Sequence, residues 1–290
     1  MSPVSSPEAT LSDANFERLR DYFYHHTGIQ FTAAKRYFVD KRVAFCISDS
    51  GEPTFGAWFA ALRRGTRPEL SQQLINQLTV NETYFLREDY QFDSLLTSVL
   101  PRVMAERRRL GRSGPIRIMS LPCSTGEEPY SIALRLLEEW PLIDQVDVEI
   151  HAGDIDSAVL ASARNGVYGA RSLQRVPRAW RDRHFEHVDD DQYQLTRMIR
   201  NAVTFSKVNV CDSAQMTAYT DFDVIFCRNV LIYFDPLSCR RAAENLYGAL
   251  RPGGYVFLGH SESMSRISPI FHPVRLPEGI AYERSTGARS

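Results

Sequence analysis

Apolar positions along this chain recur with two periods, and the change falls near residue 80. Phe16, Leu19 and Phe23, then Phe55, Trp58, Phe59 and Leu62, then Leu70, Leu74, Ile75 and Leu78 follow the three-to-four-residue spacing of amphipathic helices. Ser12 or Asp13 is set to cap the first helix, Gly28 and Gly65 stop the first and third, and a second helix is predicted over 33–47. A stripe of Phe92, Leu95, Leu96, Val99 and Val103 predicts a long helix over 89–110. Short apolar runs at 116–119, 146–150, 203–205, 208–210, 222–227 and 255–258 then alternate with helical patterns, which predicts an α/β fold built on a largely parallel sheet. The run 222–227 is almost unbroken and reads as a central strand buried on both faces. Runs at 271–274 and 280–282 close the chain as a hairpin.

Residues 167–203 interrupt this alternation. A helix-like piece over 177–185, the acidic turn 189–191 and the alternating Tyr193 and Leu195 predict a small antiparallel insertion on the edge of the sheet. The expected organisation is therefore a helical domain over 1–85, with a disordered lead before Ser12, and an α/β domain over 86–290 that carries the insertion.

Composition narrows the function. A net charge of −1 over 290 residues excludes a general nucleic-acid binder, so attraction for a charged partner must come from a local patch. Five cysteines form no C-x-x-C pair, which predicts buried free thiols and no metal site. No apolar run is long enough to span a bilayer and no signal core opens the chain, so a reducing cytoplasm is expected.

The chemistry concentrates at 120–131, S-L-P-C-S-T-G-E-E-P-Y-S, a loop between a strand and a helix. Ser124 with Glu127 and Thr125 with Glu128 both fit the S/T-x-x-E capping pattern, a purely structural reading. A phosphate site would need bare backbone N–H groups at this helix start, and two acids stand there instead. A cationic ligand with hydroxyls and amines, such as S-adenosylmethionine, is the functional reading. Asp154, after the second strand, suits ribose hydroxyls, while Asp156 suits the cap of the following helix. Residues 81–87, N-E-T-Y-F-L-R, break the helical period at the junction of the two halves, and Arg228-Asn229 opens a polar patch after the central strand.

This layout resembles that of the class I, Rossmann-like S-adenosylmethionine-dependent methyltransferases. More closely, N-E-T-Y-F-L-R, C-S-T-G-E-E-P-Y-S, D-I-D, F-C-R-N-V-L-I-Y-F and G-H-S-E resemble the chemoreceptor glutamate methyltransferases, the CheR family, over nearly the whole chain. The resemblance implies an all-α N-terminal domain joined to the methyltransferase domain, with the cofactor between them. It implies that Asn81, Thr83 and Arg87 reach the cofactor, Glu128 its methionine portion and Asp154 its ribose. Asn209 and Val210 would flank the adenine, and Arg228 and Asn229 would complete the pocket. Arg87 and Tyr233 are implied as the residues that hold the incoming carboxylate, with S-adenosyl-L-homocysteine as product.

The implied substrates are the cytoplasmic methylation helices of chemoreceptors, and Lys35, Arg36, Lys41 and Arg42 are the docking candidates, in an enzyme expected to be a monomer. Two departures stand out. Leu121-Pro122 occupies positions where many relatives carry small residues, and 187–191 lacks the glycine-rich loop with which some relatives grip a receptor's terminal pentapeptide, so independence of such a tether is expected. No general base is needed, because a glutamate with a pKa of about 4.3 is ionised at neutral pH; His151 and His260 therefore carry no catalytic role. A methyltransferase for another acidic substrate, or a non-catalytic adaptor that senses cofactor, would share the cofactor motifs.

Overall fold

The computed structural model describes residues 11–286, so the predicted disordered lead falls almost wholly outside the described residues. By internal contacts the chain separates into two compact units, Met1–Val80 with Tyr233–Asp235, and Asn81–Ile232 with Pro236–Ser290.

Among the described residues the first unit holds four α-helices, α1 (Asp13–Thr27), α2 (Arg36–Ser50), α3 (Phe55–Arg64) and α4 (Pro68–Leu78). Ser12 caps α1, its hydroxyl accepting from Asn15 N at 3.2 Å, and Gly28, Gly51 and Gly65 end the first three in the left-handed conformation that glycine adopts without strain. Phe16, Leu19, Phe23, Trp58, Phe59, Leu70 and Leu74 are buried, as their period predicts. Residues 33–35 form a single 3-10 turn, so α2 begins later than the periodicity suggests. The return of 233–235 to this unit was not legible in the sequence: Ile29 bridges Phe234, Gln30 N donates to Tyr233 O and Tyr24 Oη to Asp235.

The second unit is built on a seven-stranded sheet in the spatial order Val203–Lys207, Val148–Asp154, Ile116–Ser120, Phe222–Cys227, Leu250–Leu258, Gly279–Arg284, Phe271–Leu276. Its strands are β1 (Ile116–Ser120), β2 (Val148–Asp154), β6 (Val203–Lys207), β7 (Phe222–Cys227), β8 (Leu250–Leu258), β9 (Phe271–Leu276) and β10 (Gly279–Arg284). The first five of these pair in parallel and the terminal hairpin pairs antiparallel. All six residues of β7 are buried. Strand order reverses between β1 and β7, the switch point outside whose carboxyl ends ligands bind in open α/β sheets.

Four expectations are corrected. The second strand runs on to Asp154, because Ser120 on β1 reaches Ala152 in register and β6 pairs as far as Asp154. Residues 208–210 form no strand; Val208 N donates to Asp154 O and the chain then turns. The insertion is the small antiparallel element expected, but it forms its own three-stranded sheet, β3 (Val167–Gly169), β5 (Gln192–Leu195) and β4 (Phe185–Asp189), and does not pair with the main one. The predicted long helix is broken by a π turn at Leu95–Val99, where Pro101 has no N–H to continue the i to i−4 ladder.

Candidate active site

The carboxyl ends of β1, β2, β7 and β8 carry a polar network. After β1 the chain passes Ser120 and enters the loop to the helix Glu127–Glu139. The predicted capping boxes do not form. Gly126, at a φ of 97°, is the N-cap, Ser124 Oγ donates to Asn81 O, and Thr125 Oγ1 donates to Glu127. A Cβ at position 126 would stand 2.9 Å from Ala163 Cβ and 3.0 Å from Tyr168 Oη, so only glycine lets the loop lie against the next helix and the insertion. Close packing therefore replaces the open cradle that a phosphate would need.

The two acids of G-E-E diverge. Glu127 is buried and accepts from Thr125 and, at 2.9 Å, from Ser172 of the insertion. Glu128 accepts from Ser120 Oγ at 2.7 Å and pairs with Arg228 at 3.3 Å, which joins the loops that follow adjacent strands β1 and β7. Burial pushes the Glu128 carboxyl above the usual range, against the opposing pull of Arg228 and the Ser120 hydroxyl. Arg228 is itself buried: it donates to Arg87 O at 2.6 Å and lies 3.5 Å from Glu88. For Glu88, burial is outweighed by Arg228 and by His260, 2.9 Å away, and its carboxyl lies below the usual range. Gln91 donates to Glu88 and to Leu258 O, tying the network to the end of β8.

Asp154 ends β2. Its oxygens accept from Ser124 N at 2.8 Å and Asp156 N at 3.0 Å, and burial raises its pKa to about 6. Asp156 caps the helix Ser157–Asn165 as predicted, and its second oxygen takes Asn81 Nδ2 at 2.8 Å. The N-E-T-Y-F-L-R segment is thereby fixed from two sides, since Leu86 N also donates to Ser131 Oγ and Phe85 N to Ser172 O.

Among the sequence-predicted residues, Asn81 and Asp154 meet at Ser124, and Glu128, Arg228 and the backbone of Arg87 meet in a second cluster; the segment after β1 carries both. The Arg87 side chain donates to Glu82 O, and Thr83 is half-buried beside it in the chain. Asn209 and Val210 follow β6, where Asn209 Oδ1 accepts from Cys211 N and Val210 O from Asn245. Tyr233 belongs by its contacts to the helical unit. In that unit Lys35 and Lys41 are exposed. Arg36 is held by Asp13, Asp40 and Leu11 O, and Arg42 by Gln77 O with its guanidinium 3.9 Å over Phe38.

Sequence reasoning missed Glu262. Its carboxylate accepts from Asn229 N and Gly259 N at 2.8 Å and from Leu231 N at 2.7 Å, so one side chain shapes the backbone after both β7 and β8. The signal was present in G-H-S-E, a motif with no role assigned to its acid. Leu86, Glu88, Ser124 and Asn229 all adopt positive φ, unusual for residues with a Cβ, and all four sit in these loops.

The donor set suits S-adenosylmethionine. Carboxylates outnumber cations, which favours a sulfonium and an amine. Arg228 Nε is buried without an acceptor, a ready donor for a carboxylate. No cluster of metal-ligating side chains occurs among the described residues.

A doubly wound sheet whose switch point carries such a site defines a class I methyltransferase. Residues 81–280 match the family model described as CheR methyltransferase, SAM binding domain, and residues 14–79 match that described as CheR methyltransferase, all-alpha domain. The chain belongs to the CheR methyltransferase family and is an S-adenosylmethionine-dependent enzyme. It is 47% identical to chemotaxis protein methyltransferase 2 of Vibrio cholerae, over 98% of this chain and 97% of that protein. It is 35% identical to chemotaxis protein methyltransferase 2 of Pseudomonas aeruginosa, over 94% and 95%. It is also 35% identical to the probable biofilm formation methyltransferase WspC of the same organism, over 78% of this chain and 52% of that one.

Proposed function

We propose that this enzyme methylates glutamate side chains of chemoreceptors and so serves sensory adaptation. The observation that carries the reading is the Ser120–Glu128–Arg228 bridge at the sheet's switch point, an acid-rich site in a chain akin to chemotaxis methyltransferases along its length.

When bound, S-adenosylmethionine supplies an activated methyl group on sulfur. Glu128 and Arg228 hold its amino acid end, Asp154 its ribose, Asn209 and Val210 its adenine, Asn81 and Thr83 reach it from the segment before Arg87, and Asn229 completes the pocket. The substrate glutamate is already ionised at neutral pH, so the protein's task is alignment and not proton removal. Arg87 positions the carboxylate, and Tyr233 orients it with one hydrogen bond, because a second strong cation would blunt the nucleophile. His260, two-thirds exposed on Glu88, has no proton to move.

The substrate is a receptor's cytoplasmic helix bundle, met by the exposed Lys35 and Lys41 of the helical unit, whose neighbours Tyr37 and Phe45 are also exposed. Arg36 and Arg42 complete that basic surface while bracing the unit. Recognition needs no terminal pentapeptide, since the turn at 190–191 is short and carries no glycine. The enzyme acts as a cytoplasmic monomer; no described helix is long and apolar enough to cross a membrane. The relative named for biofilm formation supports a second reading, in which the chemistry is the same and the receptor belongs to another pathway.

The test is incubation with methyl-labelled S-adenosylmethionine and receptor cytoplasmic fragments with and without their terminal five residues. Base-labile label of equal extent on both is expected. Base-stable label, or none, overturns the assignment, and loss confined to the truncated fragment overturns tether independence.

A further inference from the structure

We propose that a cavity on the outer edge of the main sheet binds a small phosphate-bearing ligand. The cavity measures about 310 Å³ and is lined by Arg164, Arg197, Arg200, Asn201, Val203 and Phe205. It lies against β6, the edge strand, between the helices Ser157–Asn165 and Arg197–Asn201.

Three guanidinium groups line this one space, and no carboxylate does. Two of them are held in place. Arg164 donates one N–H to Phe205 O at 3.0 Å, and Arg200 donates Nε–H to Leu195 O at 3.1 Å. The stem of Arg200 is pressed onto Gly166, where a Cβ would come within 2.8 Å of its Cδ. Arg197 is exposed and makes no hydrogen bond or ion pair with any described residue. Each fork therefore keeps N–H groups that no described protein group takes up, and a planar fork of N–H donors matches phosphate oxygens.

A solvated basic surface would have mobile side chains and intervening acids. Here two of three arginines are anchored by backbone carbonyls, so little side-chain entropy is lost when an anion arrives. The volume lies at the lower end of ligand pockets, which selects a small ligand. Val203 and the half-buried Phe205 give one apolar wall, and Asn201 gives an amide, so a phosphate joined to a compact organic group, such as a mononucleotide, fills the cavity better than the bare ion.

The test is calorimetric titration of the full chain with inorganic phosphate, adenosine monophosphate and adenosine at constant ionic strength. Saturating S-adenosylhomocysteine keeps the cofactor site from reporting. One saturable site for the monophosphate, weaker binding of phosphate and none of adenosine are expected. Arg197→Glu should weaken the monophosphate at least about tenfold, the loss of one charge-assisted contact. If the reversal lowers Tm, Arg197→Gln carries the same test with a smaller loss. Binding no stronger than that of chloride, or an affinity unchanged in both Arg197 variants, overturns the proposal.

Discussion

The two ends of the central sheet handle buried charge differently. At the amino ends of β7 and β8, Asp223 and Arg251 are fully buried as an ion pair. Asp223 also accepts from Arg107 at 3.1 Å and from Arg117 N at 2.9 Å. One acid meets two cations there, and its oxygens are taken up by fixed donors. At the carboxyl ends, Glu88 and Glu128 flank Arg228, while Asp154 and Glu262 hold backbone N–H groups of the neighbouring loops. Four residues with side chains are held at positive φ, and Arg228 Nε and Gln91 Oε1 are left without partners. Among the described residues the amino end uses its charges to hold strands together, with Arg251 Nη2 its one unmet donor and Asp221 its one non-glycine residue at positive φ; the carboxyl end gathers four such residues, an excess of acid, an unmet donor and an unmet acceptor where a ligand can use them.

The largest expected effect lies at the structural end. Asp223→Asn leaves Arg251 buried without its counter-charge and should cost about 3–5 kcal/mol, a fall in Tm of roughly 10 °C, while the surviving folded enzyme keeps its turnover. Thermal unfolding followed beside specific activity checks this, and a normal Tm would dissolve the contrast between the two ends.

Glu262→Gln comes next. An amide offers one acceptor oxygen where three close backbone N–H groups converge, so the segment around Asn229 should loosen. Cofactor Kd should rise about tenfold, the equivalent of one or two lost charge-assisted hydrogen bonds, with little change in the receptor KM. A matching rise in receptor KM would mean that Glu262 serves the whole domain and not the site.

Asp154 gives a pH signature. Its folded pKa of about 6 lies above the unfolded carboxyl value, so its contribution to stability is present below pH 4 and is lost as pH rises through 6. Ribose hydroxyls need the ionised acceptor, and cofactor Kd should therefore rise about tenfold on going from neutral pH to pH 5. Between those values stability and affinity should move in opposite directions; a parallel trend would show that another group governs binding.

The smallest effect concerns docking. Lys35→Glu with Lys41→Glu should raise the receptor KM several-fold with cofactor affinity intact. These two are better probes than Arg36 or Arg42, whose bonds to Leu11 O and Gln77 O also brace the helical unit. An unchanged KM would remove α2 from the docking surface.

What could be read from the sequence follows the range of the interactions. The caps at Ser12 and Asp156 and the glycine stops depend on neighbours within a few residues, and the burial of 222–227, although β1 and β8 produce it, is written in an unbroken local apolar run. The S/T-x-x-E reading failed because Gly126 takes the cap position and Tyr168, more than forty residues on, fixes the loop through Thr125 O. Glu88 and Glu262 escaped notice because their partners lie far along the chain, Arg228 and Asn229 among them. Glu128 is legible from the missing phosphate cradle together with the family motif, and Asp154 from its place at the end of the second strand.

The central claim is that Glu128 serves the cofactor and Asp223 the fold. Titrating S-adenosylmethionine calorimetrically into the unmodified chain, Glu128→Gln and Asp223→Asn, at a temperature where all three are folded, tests it directly. The account predicts a Kd at least about tenfold weaker for Glu128→Gln, as expected when a charged partner of the ligand is lost, and an unchanged Kd for Asp223→Asn. Equal affinities in the first two, or a loss confined to Asp223→Asn, would contradict it.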